Sequence, residues 1–402
     1  MRSPSRARPW KALLAALSVL LLVASGTVYW LVRQEADRWP TLAETPRVHA
    51  PTSPARGSAE AWARFARAVD HMPASTDSLS YALNAEGRPT DEGRDAWSPF
   101  APHIELLRAA LEETDGLVYP QPSRPDDEPP PLRPFVTAAR AWLLAAWSEA
   151  EVGALSEAVT EMLLVQRLGL RFIEGDSGLV GTMVGVAIEG LARRELGELL
   201  QIYGSEHPEL YESAARGLQV PQAGFAARAL ASEASLMELF LVASGPPTEP
   251  IVAWGYDEDV TRVWFRLRMQ AEVDRAALPR HERPTDDLPL PWNTASSSLG
   301  WLHNRSGRIL LDVATGNYAD VATREDAAIA GARLEQLRIA VRRYALAHDG
   351  AIPSDQEALV PAQLAAPLVD PFDGQLLRLD PTAVWSVGEG LAPEGATLRL
   401  PL

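Results

Sequence analysis

Cysteine is absent from this chain of 402 residues, and lysine is nearly absent. The lack of cysteine excludes disulfides, thiolate metal sites, cysteine nucleophiles and the acylated cysteine of a lipoprotein anchor. Lys11 is the only lysine, so no lysine Schiff base, phosphate-loop lysine or lysine general base exists in the rest of the chain. The net charge is −16. Because an acidic chain repels phosphate backbones, we expect no nucleic-acid partner.

Charge is also absent from one long apolar run near the N-terminus, residues 12–32. A helix over this run is about 30 Å long, which matches the hydrocarbon core of a bilayer. Arg2, Arg6, Arg8 and Lys11 precede the run, so the N-terminus is expected in the cytoplasm and the body outside it. The sequence therefore predicts a single-pass inner-membrane protein with a periplasmic body that contacts the lipid bilayer through residues 12–32.

A cleaved signal peptide is the alternative interpretation of the same run. Val23-Ala24-Ser25 provides small residues of the kind found at cleavage sites. The apolar run continues beyond Gly26, which favours an uncleaved anchor. The body is exported in either case.

The chain is expected to be mainly α-helical, with a small α+β module at its C-terminus. Proline-rich breaks and changes in hydrophobic periodicity set the expected boundaries. The predicted regions are a membrane anchor (1–33), a tether (34–57), an α-helical domain (58–244), a connector rich in proline and tryptophan (245–298) and the α+β module (299–402).

The middle of the chain has the periodicity of packed helices. Trp62, Phe65 and Val69 share one helical face. The segments 135–153 and 156–175 predict a hairpin with a short turn, similar to a tetratricopeptide pair. This region is either a plain helical bundle or a concave surface that binds a peptide or protein. The tryptophans of the connector either pin it to the bundle or form an exposed patch for a partner.

Known catalytic motifs give little support for an enzyme. Residues 175–178 read GDSG, the sequence around the serine of chymotrypsin-like proteases, but they join two helical segments. A helix stop at Gly175 and a new helix start at Ser177 explain them as a turn. No HExxH, Walker-type, GxGxxG or GxSxG motif occurs. We therefore predict no catalytic, cofactor-binding or metal-binding residue, and no cofactor.

The tail has the pattern of one long helix followed by a small antiparallel sheet. Thr323 is the expected start of the helix, which ends at Asp349-Gly350. Asp373-Gly374 predicts a tight turn that joins strands around 376–379 and 383–387.

The order of motifs in this tail resembles the soluble part of the major pseudopilins of type II secretion systems. The residues that carry the resemblance are Tyr344, Gly350, Pro353, Leu359, Asp370, Pro371, Asp373, Gly374 and Gly388. The resemblance covers only the C-terminal part of the chain and implies a pilin-like α+β fold, in which these residues are structural. A whole-chain resemblance to exported bacterial proteins with a helical domain and a pilin-like tail implies no activity.

Two departures from the pseudopilin pattern affect the functional expectation. The first half of a pilin helix is wholly apolar, whereas residues 307–326 here include Arg308 and Asp312. We therefore expect that the tail does not polymerise as a pilin does. The stretch that matches the calcium loop of pseudopilins offers only Glu389 and Glu394, so no calcium is expected.

These observations predict a non-enzymatic interaction or accessory protein of the cell envelope, with protein partners there. The resemblance of the tail implies a link to type II secretion or to pilus-like machinery. Two alternatives stay open at this level: an exported hydrolase whose site matches no known motif, and a purely structural envelope protein.

Overall fold

The protein is mainly α-helical, with one small antiparallel sheet. The computed structural model describes residues 20–30, 39–50, 57–73, 95–114, 116–120, 127, 130–244, 256–284, 304–315, 318–388 and 398–402. Within these ranges the helices are α1 (20–30), α2 (Ala59–Val69), α3 (Ala101–Glu113), α4 (Arg133–Glu151), α5 (Leu155–Glu174), α6 (Gly178–Tyr203), α7 (Glu209–Gly217), α8 (Phe225–Ser244), α9 (Glu258–Ala277), α10 (Arg305–Ala314) and α11 (Ala319–Ala347). The strands are β1 (Arg378–Asp380), β2 (Ala383–Ser386) and β3 (Leu398–Pro401).

Several predicted segments fall partly outside the described residues. Of the predicted membrane span, residues 12–19 and 31–32 lie outside them, and α1 covers the rest. Among the helices that the structure describes, none has the length and apolar character needed to cross a membrane. About half of the predicted tether and about half of the predicted connector lie within the described ranges, and Glu389 and Glu394 do not.

The chain divides into two compact units. The first consists of Met1–Val48, Met237–Ala271 and Asp287–Gly316, and the second of His49–Leu236, Glu272–Asp286 and Asn317–Leu402. Helices α8 and α9 therefore each contribute residues to both units.

In the first unit, Arg266 of α9 holds the segment that follows the predicted membrane span. Its guanidinium donates to the backbone carbonyls of Thr45 at 2.7 Å and Leu42 at 3.2 Å, and it pairs with Glu238 of α8 at 2.6 Å. The rings of Trp39 and Trp264 meet edge to face at 5.6 Å. Residues 39–45 are therefore bound to this unit, although the sequence predicted a tether there.

The second unit contains a helical bundle whose tightest contact joins α5 to α6. A Cβ on Gly169 would lie 2.6 Å from the backbone nitrogen of Glu189, and one on Gly185 would lie 2.7 Å from the Gly169 carbonyl. Glycine at both positions lets the two backbones touch. Helices α4 and α5 form the predicted hairpin across residues 152–154.

Aromatic rings fill the centre of the bundle. Phe135 lies 5.5 Å from Trp62 and 5.0 Å from Phe172, measured between ring centroids, and all three side chains are buried. Such pairs bury a large apolar area at a favourable geometry. The first turns of α2 and α4 are thereby fixed against the end of α5.

The C-terminal module of the second unit consists of α11 and a sheet in the order β1-β2-β3, with antiparallel pairing throughout. Leu337 and Val341 of α11 form a core with Leu359 and Val384. The α+β outcome predicted from the sequence is therefore present.

Two local predictions in this module were wrong. Helix α11 begins at Ala319, not at Thr323, and its N-cap Tyr318 makes no side-chain capping bond. The Asp373-Gly374 turn lies before β1, where Val369 bridges to Leu376, and the turn between β1 and β2 falls at residues 381–382. The Asp-Gly signal was real, but a turn signal does not say which segments pair across it.

The other face of α11 packs on the bundle. Ile339 belongs to the bundle core. Arg338 and Glu335 form a buried pair at 2.7 Å, and Arg338 lies where a side chain at Gly197 would be. Arg343 pairs with Glu212 of α7 at 2.7 Å. Helix α11 thus lies between the bundle and the sheet.

Candidate functional site

A polar pocket of the second unit lies where α9 ends and α11 begins. Its volume is about 170 Å³. Its lining residues come from α8, α9, the turn after α9 and the start of α11, and they are Leu230, Glu272, Arg275, Ala276, Arg280, Arg283, Tyr318, Asp320, Ala322 and Thr323.

Local sequence explains why three arginines meet here. Helix α9 ends at Ala277, and Pro279 precedes the short 3-10 turn Arg280–Glu282. Proline fixes its own φ and supports such a turn. The reversal returns the chain toward the last turn of α9, so Arg275 and Arg280 line the same pocket.

Arg283 is the fixed wall of the pocket. Its Nε donates to the Leu278 carbonyl at 2.9 Å. Its two terminal nitrogens pair with both carboxylate oxygens of Asp326 on α11, and both side chains are buried. This bidentate arrangement holds the turn after α9 against α11.

Two further donors at the pocket lack a protein partner within the described part of the chain. Arg275 makes no hydrogen bond or ion pair there. Tyr318 is only 9 % exposed, and its hydroxyl makes no hydrogen bond to a described residue. Burial raises the pKa of Tyr318 to about 12. The phenol therefore stays protonated and can donate at any physiological pH.

Charges of both signs line the pocket, and one of its arginines, Arg283, is already paired with Asp326. The lining contributes three arginines and two acids, Glu272 and Asp320. Burial, followed by the neighbouring charges of Arg283 and Arg275, lowers the pKa of Arg280. An anion in the pocket would relieve this repulsion.

An apolar groove of about 420 Å³ lies elsewhere in the second unit. Its walls are the end of α2 and the start of α4, with Trp62, Val69, Met72, Pro130 and Pro134 among the lining residues. The groove has the apolar character of a peptide-binding surface, but no feature of the described residues identifies an occupant.

The clearest pair of carboxyl groups lies across the α4–α5 hairpin. Burial, and then the charge of Glu161, raises the pKa of Glu149. Glu161 accepts hydrogen bonds from Arg108 at 2.8 Å and from Trp142 at 2.5 Å. Glu149 is thus a carboxyl that retains its proton to higher pH than an ordinary glutamate, which is a property of general acids.

The GDSG sequence forms a structural turn. Asp176 pairs through its backbone with Leu117, and Ser177 is the N-cap residue of α6. The Ser177 hydroxyl is buried and donates to the Phe172 carbonyl. This serine therefore closes the end of α5.

The residues that carry the pseudopilin resemblance all lie in the C-terminal module or at its entrance. Tyr344 stacks on His348, Gly350 ends α11 at φ +85°, and Pro353 and Leu359 are buried. Gly374 and Gly388 also have positive φ.

Asp370 is the centre of the DPFDG turn that Pro371 and Asp373 complete. Its buried carboxylate accepts from Arg378 at 2.8 Å and from Ser386 at 3.0 Å, and Asp373 pairs with the same arginine. None of the residues that carry the pseudopilin resemblance lines the arginine pocket, although Gly374 touches His281 in the turn beside it. Thr323, which the sequence predicted as the start of the helix, does line it. Among the described residues, no group of three histidine, aspartate or glutamate side chains could hold a metal ion.

Sequence reasoning missed the pocket residues. Three arginines within nine positions, 275–283, are the only local signal. Tyr318 and Asp326 are distant in sequence, and nothing in their neighbourhoods indicates that they meet those arginines.

Comparison with models of protein families, with curated proteins and with solved structures finds no match for this chain. The functional conclusion therefore depends on the geometry and chemistry of the chain itself.

Proposed function

We propose that the protein is a membrane-anchored, non-enzymatic interaction protein of the bacterial cell envelope, with its body in the periplasm. Its pilin-like module is a fixed part of that body and not a filament subunit. If the protein is linked to type II secretion or pilus-like machinery, it acts there by binding one of the proteins of that machinery.

The observation that carries this proposal is the position of α11. In pilin-like assembly the long helix packs on its copies. Here Ile339 is in the bundle core, and Arg338 and Arg343 bond within the same unit. A helix with both long faces covered in its own chain has no free surface for such a stack.

The binding of residues 39–45 by Arg266 supports the anchored arrangement. The predicted span ends at residue 32, so only a few residues separate it from a segment that is hydrogen-bonded into the first unit. A short connection would keep the body close to the bilayer.

Crosslinking of the full-length protein in native membranes tests the proposal. We expect the protein to stay in the membrane fraction after alkaline carbonate washing and to crosslink to envelope proteins. Secretion or pilus components among them support the link to that machinery. Release by carbonate contradicts the anchor, and recovery of the protein alone contradicts the interaction role.

The pair of Glu149 and Glu161 favours an exported hydrolase as the second candidate. A carboxyl with a raised pKa beside a second carboxyl is the usual arrangement for a general acid and its partner. Hydrolysis of ester or glycoside test substrates by the purified full-length protein, lost in Glu149→Gln and retained in the exposed variant Glu112→Gln, would favour this alternative over the interaction protein.

A further inference from the structure

We propose that the arginine pocket is a binding site for a short aliphatic monocarboxylate. This inference goes beyond the proposed function and does not depend on it, because the described residues that line the pocket all belong to the second unit. The ligand would place its carboxylate on Arg275 and Tyr318 and its alkyl chain against Leu230, Ala276 and Ala322.

The unused donors at the pocket indicate the ligand group. Arg275 makes no ion pair within the described part of the chain, and the Tyr318 side chain is more than nine-tenths buried with no hydrogen bond to a described residue. Neither donor is sealed from solvent, so an oxygen atom that enters the pocket can accept from them. A planar guanidinium and a phenol together match the two oxygens of a carboxylate.

The charges at the pocket favour a monoanion over a phosphate. Arg283 is paired with Asp326, and the two other arginines share the lining with Glu272 and Asp320, so the pocket tolerates little negative charge beyond one unit. A dianion would instead bring excess negative charge near Glu272 and Asp320. The bidentate pair of Arg283 with Asp326 fixes the wall, and the site is already arranged when the ligand arrives.

The size of the pocket points to a small molecule. Its volume of about 170 Å³ is below the range of roughly 300–1,000 Å³ that is usual for drug-sized ligands. The apolar part of the lining is small and consists of one leucine and two alanines. This composition suits a short alkyl chain and offers little to an aromatic or sugar ring.

Isothermal titration calorimetry on the full-length protein in detergent tests the proposal. The probes are butyrate, its neutral analogue butyramide, the dianion succinate and inorganic phosphate. We expect butyrate to bind at least about tenfold more tightly than the other three, because one charge-assisted hydrogen bond changes affinity by about that factor or more.

Three variants locate the site. Arg275→Gln should weaken butyrate binding by about tenfold or more, and Tyr318→Phe by about threefold to tenfold, since the ring and its burial are kept. Arg216→Gln is the matched control, because Arg216 is exposed on α7 in the same unit and loses the same charge. It should bind butyrate as the parent does.

Four results would overturn the proposal. They are no binding of butyrate at millimolar concentration, binding of butyramide as tight as butyrate, binding of phosphate or succinate tighter than butyrate, and unchanged affinity in Arg275→Gln. The Tyr318→Phe variant keeps the test valid if the arginine variant fails to fold, because unchanged affinity in it also contradicts the site.

Discussion

The carboxylate of Asp370 accepts the backbone N–H of Val387 at 2.9 Å and so ties the DPFDG turn to the end of β2. The same carboxylate also accepts the Ser386 hydroxyl, the backbone N–H of Phe372 at 3.1 Å and the Arg378 guanidinium. Asp370 is completely buried. One side chain therefore organises the turn and the start and end of the hairpin that follows it.

We expect Asp370→Asn to destabilise the protein by roughly 3 kcal/mol, because the amide nitrogen of asparagine cannot accept the hydrogen bonds that the buried carboxylate takes from Ser386, Val387 and Phe372. Asp373→Asn is the control, since Asp373 pairs with the same arginine but is part-exposed. That change should cost less than about 1 kcal/mol. Urea unfolding of the two variants measures the difference, and equal losses would contradict the central role of Asp370.

A second prediction concerns Gly374, which has φ +72° and touches His281. In Gly374→Ala the new Cβ would lie 2.9 Å from the imidazole, so the His281 side chain or the turn that carries it must shift. Gly350→Ala is the control, with φ +85° and nothing within 4 Å of the added Cβ. Both carry the left-handed backbone cost of about 1–2 kcal/mol. The free energy of unfolding, measured in urea, should fall by about 1 kcal/mol more in Gly374→Ala than in Gly350→Ala. A smaller loss there than at Gly350 would refute the contact.

A third prediction concerns the segment that follows the predicted membrane span. Arg266→Gln removes the donors to Leu42 and Thr45 and should increase the rate of tryptic cleavage after the exposed Arg47 by about tenfold. Arg262→Gln is the matched control, because Arg262 also bonds to Glu238 but not to that segment. Mass spectrometry of the early fragments measures both rates. Equal rates in the two variants would show that Arg266 does not hold the segment.

The fourth prediction is a dependence of stability on pH. Burial and Glu161 raise the pKa of Glu149 in the folded protein above its ordinary value of 4.5. Over a range of pH the folded state then keeps a proton that the unfolded chain loses. The stability that Glu149 contributes by holding this proton is fully present below pH 4.5, and it disappears as the pH rises through the raised pKa of the folded state.

Glu149→Gln is neutral at every pH and should gain stability relative to the parent as pH rises toward neutrality. Unfolding in urea at several pH values measures this difference. Glu112→Gln, at an exposed position, is the control for the loss of a surface carboxylate. A flat profile for Glu149→Gln would mean that its carboxyl ionises in the folded protein as it does in the unfolded chain.

The hydrophobic periodicity of the sequence predicts most of the helices and the α+β character of the tail. The apolar stripe through Trp62 and Phe65 lies in the core, and both residues are buried. The start of α11 was missed because Tyr318 begins the helix without a side-chain capping bond. Its ring is buried by tertiary packing, and packing of this kind is invisible to a capping pattern.

The arginine pocket could not be predicted from local patterns. Arg275 and Arg283 look like the polar end of a surface helix in the sequence. Their environment is set by α11, which supplies Asp326 and Tyr318 from a distant part of the chain. The predicted membrane span and the envelope role stay predictions.

The place of α11 between two cores also determines how the second unit comes apart. Ile339 belongs to the bundle core, while Leu337 and Val341, on the same turns of the helix, belong to the core under the sheet. Neither core is complete without this helix. Cutting the chain before residue 319 would leave an open bundle on one side and, on the other, a module whose helix exposes the face around Ile339 to water. The C-terminal module is therefore not independent of the bundle, even though its sequence motifs look modular.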